Sequence, residues 1–252
     1  MSTDRFNLNR LSLLIKRQLV VNLKNLLIAF GASFGVLLII FFLIIYQAHS
    51  VPFAPLVSIS FVVIFLGGFI FTSIGFDELH STDKAYQYLT LPATTLEKLA
   101  SIWILTSVSF VIISLFIVVL VAILGNLFAM IIGANTTSLN LLFSYPILHL
   151  LWIYFVIHSI FLLGSCYFKK NNFLKTLLTL FLIGIIISIY SFVNSLIFFG
   201  STFHSFNDQN LNGDLKVFMT NTFPIIIKIV AGYIVAPFFI LVSFFVLKER
   251  QV

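Results

Sequence analysis

The sequence predicts an all-α, polytopic integral membrane protein with six transmembrane helices, preceded by an amphipathic helix at the membrane interface. Hydrophobic residues make up 60% of the 252 residues and charged residues only 9%, whereas a soluble domain is roughly half apolar and about a quarter charged. The apolar residues also form unbroken runs, and about 20 such residues cross a bilayer as a helix. Backbone groups in hydrocarbon must pair within helices or closed barrels, and runs of this length exclude barrel strands.

Six apolar runs have the length of a membrane span. They are apolar on all sides, as helices that face lipid should be. The predicted spans are residues 26–46, 55–76, 102–124, 145–168, 173–199 and 223–247. We therefore expect two regions, which are a cytoplasmic N-terminus (residues 1–25) and a transmembrane domain (residues 26–252) that includes a cytoplasmic loop (residues 77–101).

The positions of lysine and arginine predict the orientation of the chain. Of the 14 Lys and Arg residues, all except Lys216 and Lys228 lie on the side of the predicted membrane that holds both termini. Cytoplasmic segments are enriched in these residues, so both termini are expected in the cytoplasm. This asymmetry explains the net charge of +6, and no nucleic-acid partner is needed to account for it.

The segment before the first span, residues 8–25, has a helical pattern of its own. At 100° per residue its apolar stripe lies opposite its basic residues. The stripe contains Leu8, Leu11, Ile15, Leu19 and Leu23, and the opposite side contains Arg10, Arg17 and Lys24. This pattern is typical of a helix that lies in the membrane interface and contacts lipid. The alternative is a cytosolic extension of the first span.

The loop between the second and third spans, residues 77–101, is unusually polar and rich in turn signals. A short helix is predicted at residues 83–89, and Pro92 prevents it from continuing. Thr94 and Glu97 then match the capping box that starts a helix, with Thr94 as N-cap. The acids Asp77 and Glu78 oppose the dipole at the end of the second span, so we expect the helix to continue or the acids to meet a basic partner. The loop is predicted to be a shaped cytoplasmic surface.

The sequence contains no motif for chemistry on this chain. No glycine precedes a lysine, so the phosphate-binding loop of nucleotide hydrolases is absent. No zinc-protease, serine-hydrolase or Cys/His metal spacing occurs either, and the chain is expected not to be an enzyme. Gly31 and Gly35 form a G-x-x-x-G pair in the first span, which allows close helix packing either between two chains or within one.

Together these features resemble the membrane-domain subunit of type 2 ABC transporters, the ABC exporter permease family. The resemblance lies in the amphipathic entry helix, six spans with both ends inside, the structured second-to-third loop and a large connection before the last span. The segment YLTLPATTLEKLASIWI, residues 88–104, is similar to the corresponding segment of bacterial members. Its matching residues are Leu91, Pro92, Ala93, Glu97 and Lys98.

The resemblance implies that this loop carries a coupling helix that docks on a separate ATPase subunit. The implied docking residues are Asp83, Lys84, Tyr86, Tyr88, Leu91, Pro92, Glu97 and Lys98. Two permeases, identical or different, would pair with two ATPases in the bacterial cytoplasmic (inner) membrane. Gly31 and Gly35 are the candidate packing residues between the two permeases. ATP and magnesium would bind the ATPase, with no cofactor on this chain.

The expected function is ATP-driven export of an amphipathic or hydrophobic substrate by alternating access. An ATP-independent secondary transporter or channel is the alternative, although all the acids lie outside the spans or at their ends, whereas ion pathways usually contain intramembrane acids. A third hypothesis is an intramembrane enzyme that acts on lipids, but the sequence contains no nucleophile or metal motif that supports it.

Overall fold

The computed structural model describes residues 6–81, 84–138, 145–199 and 217–250. Short π-helical segments at Ile104–Ser109, Phe218–Thr222 and Ala231–Val235 join or extend its α-helices. Within the described residues the only strand-like pairing is an isolated bridge between Ser50 and Asn135. The helices are α1 (Leu8–Ala48), α2 (Phe53–Ser73), α3 (Asp77–His80), α4 (Ala85–Leu89), α5 (Thr95–Trp103), α6 (Phe110–Ile131), α7 (Tyr145–Tyr167), α8 (Asn172–Phe199), α9 (Phe223–Val230) and α10 (Ala236–Glu249).

The described part of the chain contains six helical stretches long and apolar enough to cross a membrane. They are Leu8–Ala48, Ala54–His80, Thr95–Ile131, His149–Tyr167, Asn172–Asn194 and Thr220–Glu249. Each stretch coincides with one predicted span, so the prediction of an all-α, multi-pass membrane protein is confirmed. The first and third stretches extend beyond the predicted bounds because their helices continue beyond the apolar runs, and the second reaches His80 because a turn at residues 74–76 joins α2 to α3.

Helix α1 is a single helix of 41 residues, so residues 8–25 and the first span are continuous. Of the two arrangements expected for residues 8–25, these helix bounds match the extension of the first span, with no break between the two parts. The buried residues of the extension are Leu11, Leu14 and Gln18, whereas Leu8 and Leu23 of the predicted stripe are exposed. The buried side of this extension packs against α5 rather than being left entirely for lipid.

The larger buried cluster lies between α1, α2, α6 and α7 and is centred on stacked aromatic rings. The Phe69 ring stacks on Tyr154 and on Phe161, with centroid distances of 5.6 and 4.5 Å. Membrane helices gain little from hydrophobic burial against one another, since lipid is equally apolar. Close ring packing, which contributes roughly 0.5–1.5 kcal/mol per pair, is therefore an important source of cohesion here.

The third span contains the π-helical segment Ile104–Ser109, which the sequence pattern did not predict. At this segment the Tyr154 hydroxyl donates a hydrogen bond to the Thr106 carbonyl oxygen at 3.1 Å. The Thr106 hydroxyl donates to the Ile102 carbonyl and lies 2.9 Å from His158 Nε2. These contacts give the altered backbone and buried His158 polar partners inside the bundle, as hydrocarbon surroundings require.

Candidate functional site: the loop between the second and third spans

The loop region, which we call the loop assembly, consists of α3, α4 and the chain as far as Lys98 in α5, without the undescribed residues 82 and 83. Its last helix begins as the sequence predicted. The Thr94 hydroxyl accepts a hydrogen bond from the Glu97 backbone N–H at 3.2 Å, and Glu97 Oε2 accepts one from the Thr94 N–H at 2.8 Å. This reciprocal pairing confirms the predicted capping box.

Glu97 also joins the loop assembly to the N-terminal part of α1. Its Oε1 atom accepts hydrogen bonds from the Asn7 backbone N–H at 2.7 Å and from Arg10 Nη2 at 3.0 Å. The Glu97 side chain is completely buried, whereas that of Arg10 is 27% exposed. A buried carboxylate is tolerated when several donors satisfy it. Glu97 thus completes the capping box of α5 and also anchors α1.

A second ion pair joins α1 to the loop assembly, between Arg17 Nη1 and Glu78 Oε2 at 2.8 Å. Arg10 and Arg17 are seven residues apart, so they lie on one side of the helix. Of the two acids at the end of the second span, Glu78 therefore has its basic partner, Arg17, within this same chain. Both ion pairs bridge distant sequence positions, and only the i, i+7 spacing of the arginines could have indicated them.

The end of α10 is fastened to the same end of the bundle. Arg250 Nη1 donates to His80 Nδ1 at 2.7 Å, and Arg250 Nη2 donates to the Tyr167 carbonyl at 2.7 Å. With Nδ1 accepting, His80 Nε2 carries the proton and donates to the Ser165 carbonyl at 2.7 Å. These bonds connect α3, the end of α7 and the end of α10.

Tyr88 and Lys98 form the interior of the loop assembly. Tyr88 is 2% exposed and packs in a cluster with Phe76 and Leu99. Burial raises the pKa of the Tyr88 phenol, and its hydroxyl has no hydrogen-bond partner among the described residues. Lys98 Nζ lies 5.4 Å from the centre of the Tyr88 ring and donates to the Leu89 carbonyl at 3.1 Å. This lysine therefore holds the C-terminal end of α4.

Only some of the residues expected on the docking surface are exposed. Lys84, Tyr86 and Pro92 are exposed, and Leu91 is half-buried. Asp83 lies outside the described residues. The expectation that Tyr88, Glu97 and Lys98 belong to an exposed surface is wrong, because all three are buried by contacts within this chain. The family resemblance implied a place on the docking surface, but the lysine and the glutamate are satisfied internally and the tyrosine ring packs in a buried cluster.

Gly31 and Gly35 are not used for helix packing within the chain. A Cβ atom added at either position would meet no atom within 4 Å. By contrast, a Cβ atom added to Gly164 in α7 would overlap the Thr176 side chain of α8. The intra-chain explanation for the G-x-x-x-G pair is therefore excluded for the described residues, and its role in a dimer stays a prediction.

We expect Gly164→Val to lower the melting temperature of the detergent-solubilised protein by several degrees, since the added side chain forces α7 and α8 apart and overpacking costs about 1–3 kcal/mol. Gly31→Val, the matched control, should leave the melting temperature of the monomer unchanged. If Gly31 packs against a second chain, the same variant should lower the dimer fraction in light scattering. Equal melting temperatures for the two variants would contradict the close approach of α7 and α8.

The described residues contain no group of three or more His, Cys, Asp or Glu residues placed to hold a metal ion. Within the loop assembly, Glu78, Glu97 and Lys98 are engaged in structural contacts, whereas Asp77 and Lys84 are exposed. Comparison with family models, curated proteins and solved structures found no match for this chain.

Proposed function

We propose that this chain is the membrane-spanning permease subunit of an ATP-driven transporter of the type 2 ABC exporter class. In this proposal the loop assembly is the surface on which a separate ATPase docks. The ATPase binds ATP and magnesium, and the permease works as a homodimer or heterodimer in the bacterial cytoplasmic membrane. Both termini and the loop assembly face the cytoplasm.

The proposal rests on two parts of the loop assembly. Its tip, which contains Lys84, Tyr86 and Pro92, is exposed. Its base, which contains Glu78, His80 and Glu97, is bonded to neighbouring helices. The tip residue Tyr86 is 77% exposed. The base is bonded to α1 through Glu97 and Glu78, and to the ends of α7 and α10 through His80. A displacement applied to such a tip reaches several helices, because the assembly resists local deformation. A loop needed only for topology would require none of these bonds.

The docking surface in this proposal is narrower than the one expected from the sequence. It consists of Lys84, Tyr86 and Pro92, together with Leu89 and Leu96 of the same loop assembly, whose side chains are exposed. Tyrosine is among the residue types enriched at the centres of protein interfaces. Leu91 supports this surface from a half-buried position.

The proposed substrate is an amphipathic or hydrophobic molecule, moved outward. The long helix α8 supports this class of substrate, since nearly all its side chains from 177 to 193 are apolar and exposed. A face of this kind can contact lipid, a second subunit or an apolar substrate, and no charged residue lies between residues 177 and 193. The proposal therefore favours a permease over a channel.

We expect Tyr86→Ala to reduce the amount of ATPase that co-purifies with the tagged protein by about tenfold or more, since an aromatic anchor at an interface contributes about 2 kcal/mol or more. The measurement is quantitative mass spectrometry of the material purified from native membranes in mild detergent. Tyr46→Ala is the matched control, because Tyr46 is also exposed but lies near the C-terminal end of α1, whereas the loop assembly is bonded to the N-terminal part of that helix.

Two results would count against the proposal. If the unaltered protein purifies without an ATPase in comparable amount, the chain acts alone, and an ATP-independent transporter or channel becomes the better explanation. If an ATPase is present but Tyr86→Ala and Tyr46→Ala retain it equally, the ATPase docks on another surface.

A further inference from the structure

Two adjoining cavities lie between α1, α2 and the long helix of the third span. The first has a volume of about 280 Å³ and is apolar, with Phe30, Leu37, Gly67 and Ile117 among its walls. The second has a volume of about 260 Å³ and is lined by polar groups of the loop assembly. Asn22, Asn25, Phe71 and Ile74 line both cavities. The two therefore adjoin and form one cleft that is polar at one end and apolar at the other.

The size of the cleft matches a small-molecule site, since such sites have volumes of roughly 300–1,000 Å³. The cleft changes from polar to apolar along the length of the bundle. The polar end lies beside the loop assembly, and the apolar end extends along the spans toward Leu37 and Ile117. A molecule that fills both ends must itself have a polar head and a hydrocarbon chain.

The polar end contains a hydrogen-bond acceptor without a donor. Gln18 is only 7% exposed, and its side-chain oxygen Oε1 has no hydrogen-bond partner among the described residues. Gln18 is also one of the residues that line the polar cavity. A buried carbonyl oxygen that lacks a donor is costly, so natural structures seldom retain one without a partner. A donor placed in the cavity would satisfy this oxygen.

The charges of the polar end show which headgroup fits. The acids Asp77 and Glu78 and the base Lys84 line the same cavity. Glu78 is already paired with Arg17, which leaves the Asp77 carboxylate and the Lys84 ammonium as exposed charges of opposite sign. A zwitterionic headgroup complements this pair better than a purely anionic one.

We propose that the cleft binds a phospholipid through one acyl chain and a phosphoethanolamine headgroup. The acyl chain occupies the apolar cavity. The headgroup ammonium donates to Gln18 Oε1 and faces Asp77, and the phosphate faces Lys84. This site depends on no partner protein, so it stands or falls separately from the proposed permease function.

The test is native mass spectrometry of the purified full-length protein in maltoside detergent, titrated with lysophosphatidylethanolamine. The comparison lipid is lysophosphatidylcholine with the same acyl chain, whose methylated ammonium has no N–H to donate. We expect one bound lipid per chain and a preference of about tenfold for the ethanolamine lipid, as for the gain of one charged hydrogen bond. Equal affinity for the two lipids would overturn the assignment of the headgroup.

Two variants separate a binding role from a structural one. Gln18→Met removes the unpaired carbonyl, so the lipid-free protein should melt at the same or a higher temperature while its preference for the ethanolamine lipid disappears. Gln47→Met, at the exposed far end of α1, should change neither property. If Gln18→Met retains the preference for the ethanolamine lipid, Gln18 Oε1 is not its contact, whatever the effect on melting.

The apolar cavity is tested by filling it from its rim. Ala29 lines this cavity and is exposed, so Ala29→Phe should fold normally and weaken binding of both lipids about tenfold or more. Ala32→Phe is the matched control, because Ala32 is an exposed residue of the same helix that does not line the cavity. If both variants bind lipid like the unaltered protein, the lipid associates with the general apolar surface and the proposed site is wrong.

Discussion

Replacing Glu97 with alanine should destabilise the protein by about 3 kcal/mol. Removing one partner of a buried ion pair costs roughly 3–5 kcal/mol. The lower end of this range applies because the Arg10 side chain is 27% exposed and therefore stays in contact with solvent. The change also leaves the backbone N–H groups of Asn7 and Thr94 without their acceptor. The expected result is a melting temperature in detergent that is about 5–10 °C lower, with faster tryptic cleavage at Lys84.

The control for this prediction is Glu78→Ala, which removes the other ion pair with α1. Both side chains of that pair are partly exposed, at 31% for Arg17 and 22% for Glu78. Pairs in contact with solvent contribute about 1 kcal/mol or less, so the melting temperature should fall by no more than a few degrees. Equal losses for the two variants would show that Glu97 is not the main anchor of α1.

Replacing Tyr88 with alanine should destabilise the protein by about 3–5 kcal/mol, the usual cost of removing a buried aromatic ring. The ring packs against Phe76 with a centroid distance of 6.5 Å and receives the Lys98 ammonium on its face. Its loss should release α4 from the bundle. Hydrogen exchange measured by mass spectrometry should then rise across residues 84–94 before the rest of the chain unfolds.

Tyr88→Phe distinguishes the ring from its hydroxyl. The hydroxyl is buried without a hydrogen-bond partner among the described residues, so removing it should leave stability unchanged or raise it by about 1 kcal/mol. A large loss of stability in Tyr88→Phe would mean that the hydroxyl is paired in the working protein. A small loss in Tyr88→Ala would mean that α4 is held by contacts other than this ring.

Hydrophobic runs and local turn chemistry predicted much of the fold. The six spans follow from composition and length alone, because a helix in lipid satisfies its own backbone. The Thr94–Glu97 capping box was also predictable, since it involves only residues three apart. The π-helical segment Ile104–Ser109 was not, and its hydrogen bonds to Tyr154 and His158 join residues 48 and 52 positions apart in the sequence.

The sequence singled out a loop that the structure shows to be an ordered assembly, but it did not indicate which of its residues are exposed. The loop between the second and third spans was singled out by its polarity, and its tip residues Lys84, Tyr86 and Pro92 are exposed. Glu97 and Lys98 were also taken as surface residues. Their burial depends on Arg10 and on the Leu89 carbonyl, and such pairings are set by tertiary packing rather than by sequence periodicity.

The continuity of α1 has a mechanical consequence. A helix of 41 residues is about 60 Å long, at a rise of 1.5 Å per residue, and its two ends hold different parts of the protein. One end is fixed to the loop assembly through Arg10 and Arg17, and just beyond the other end, at Ser50 and Val51, the chain pairs with Asn135. For a rigid helix of this length, a tilt of about 5° at the loop would displace the far end by about 5 Å. Movement at one membrane surface can therefore reach the opposite surface through a single helix.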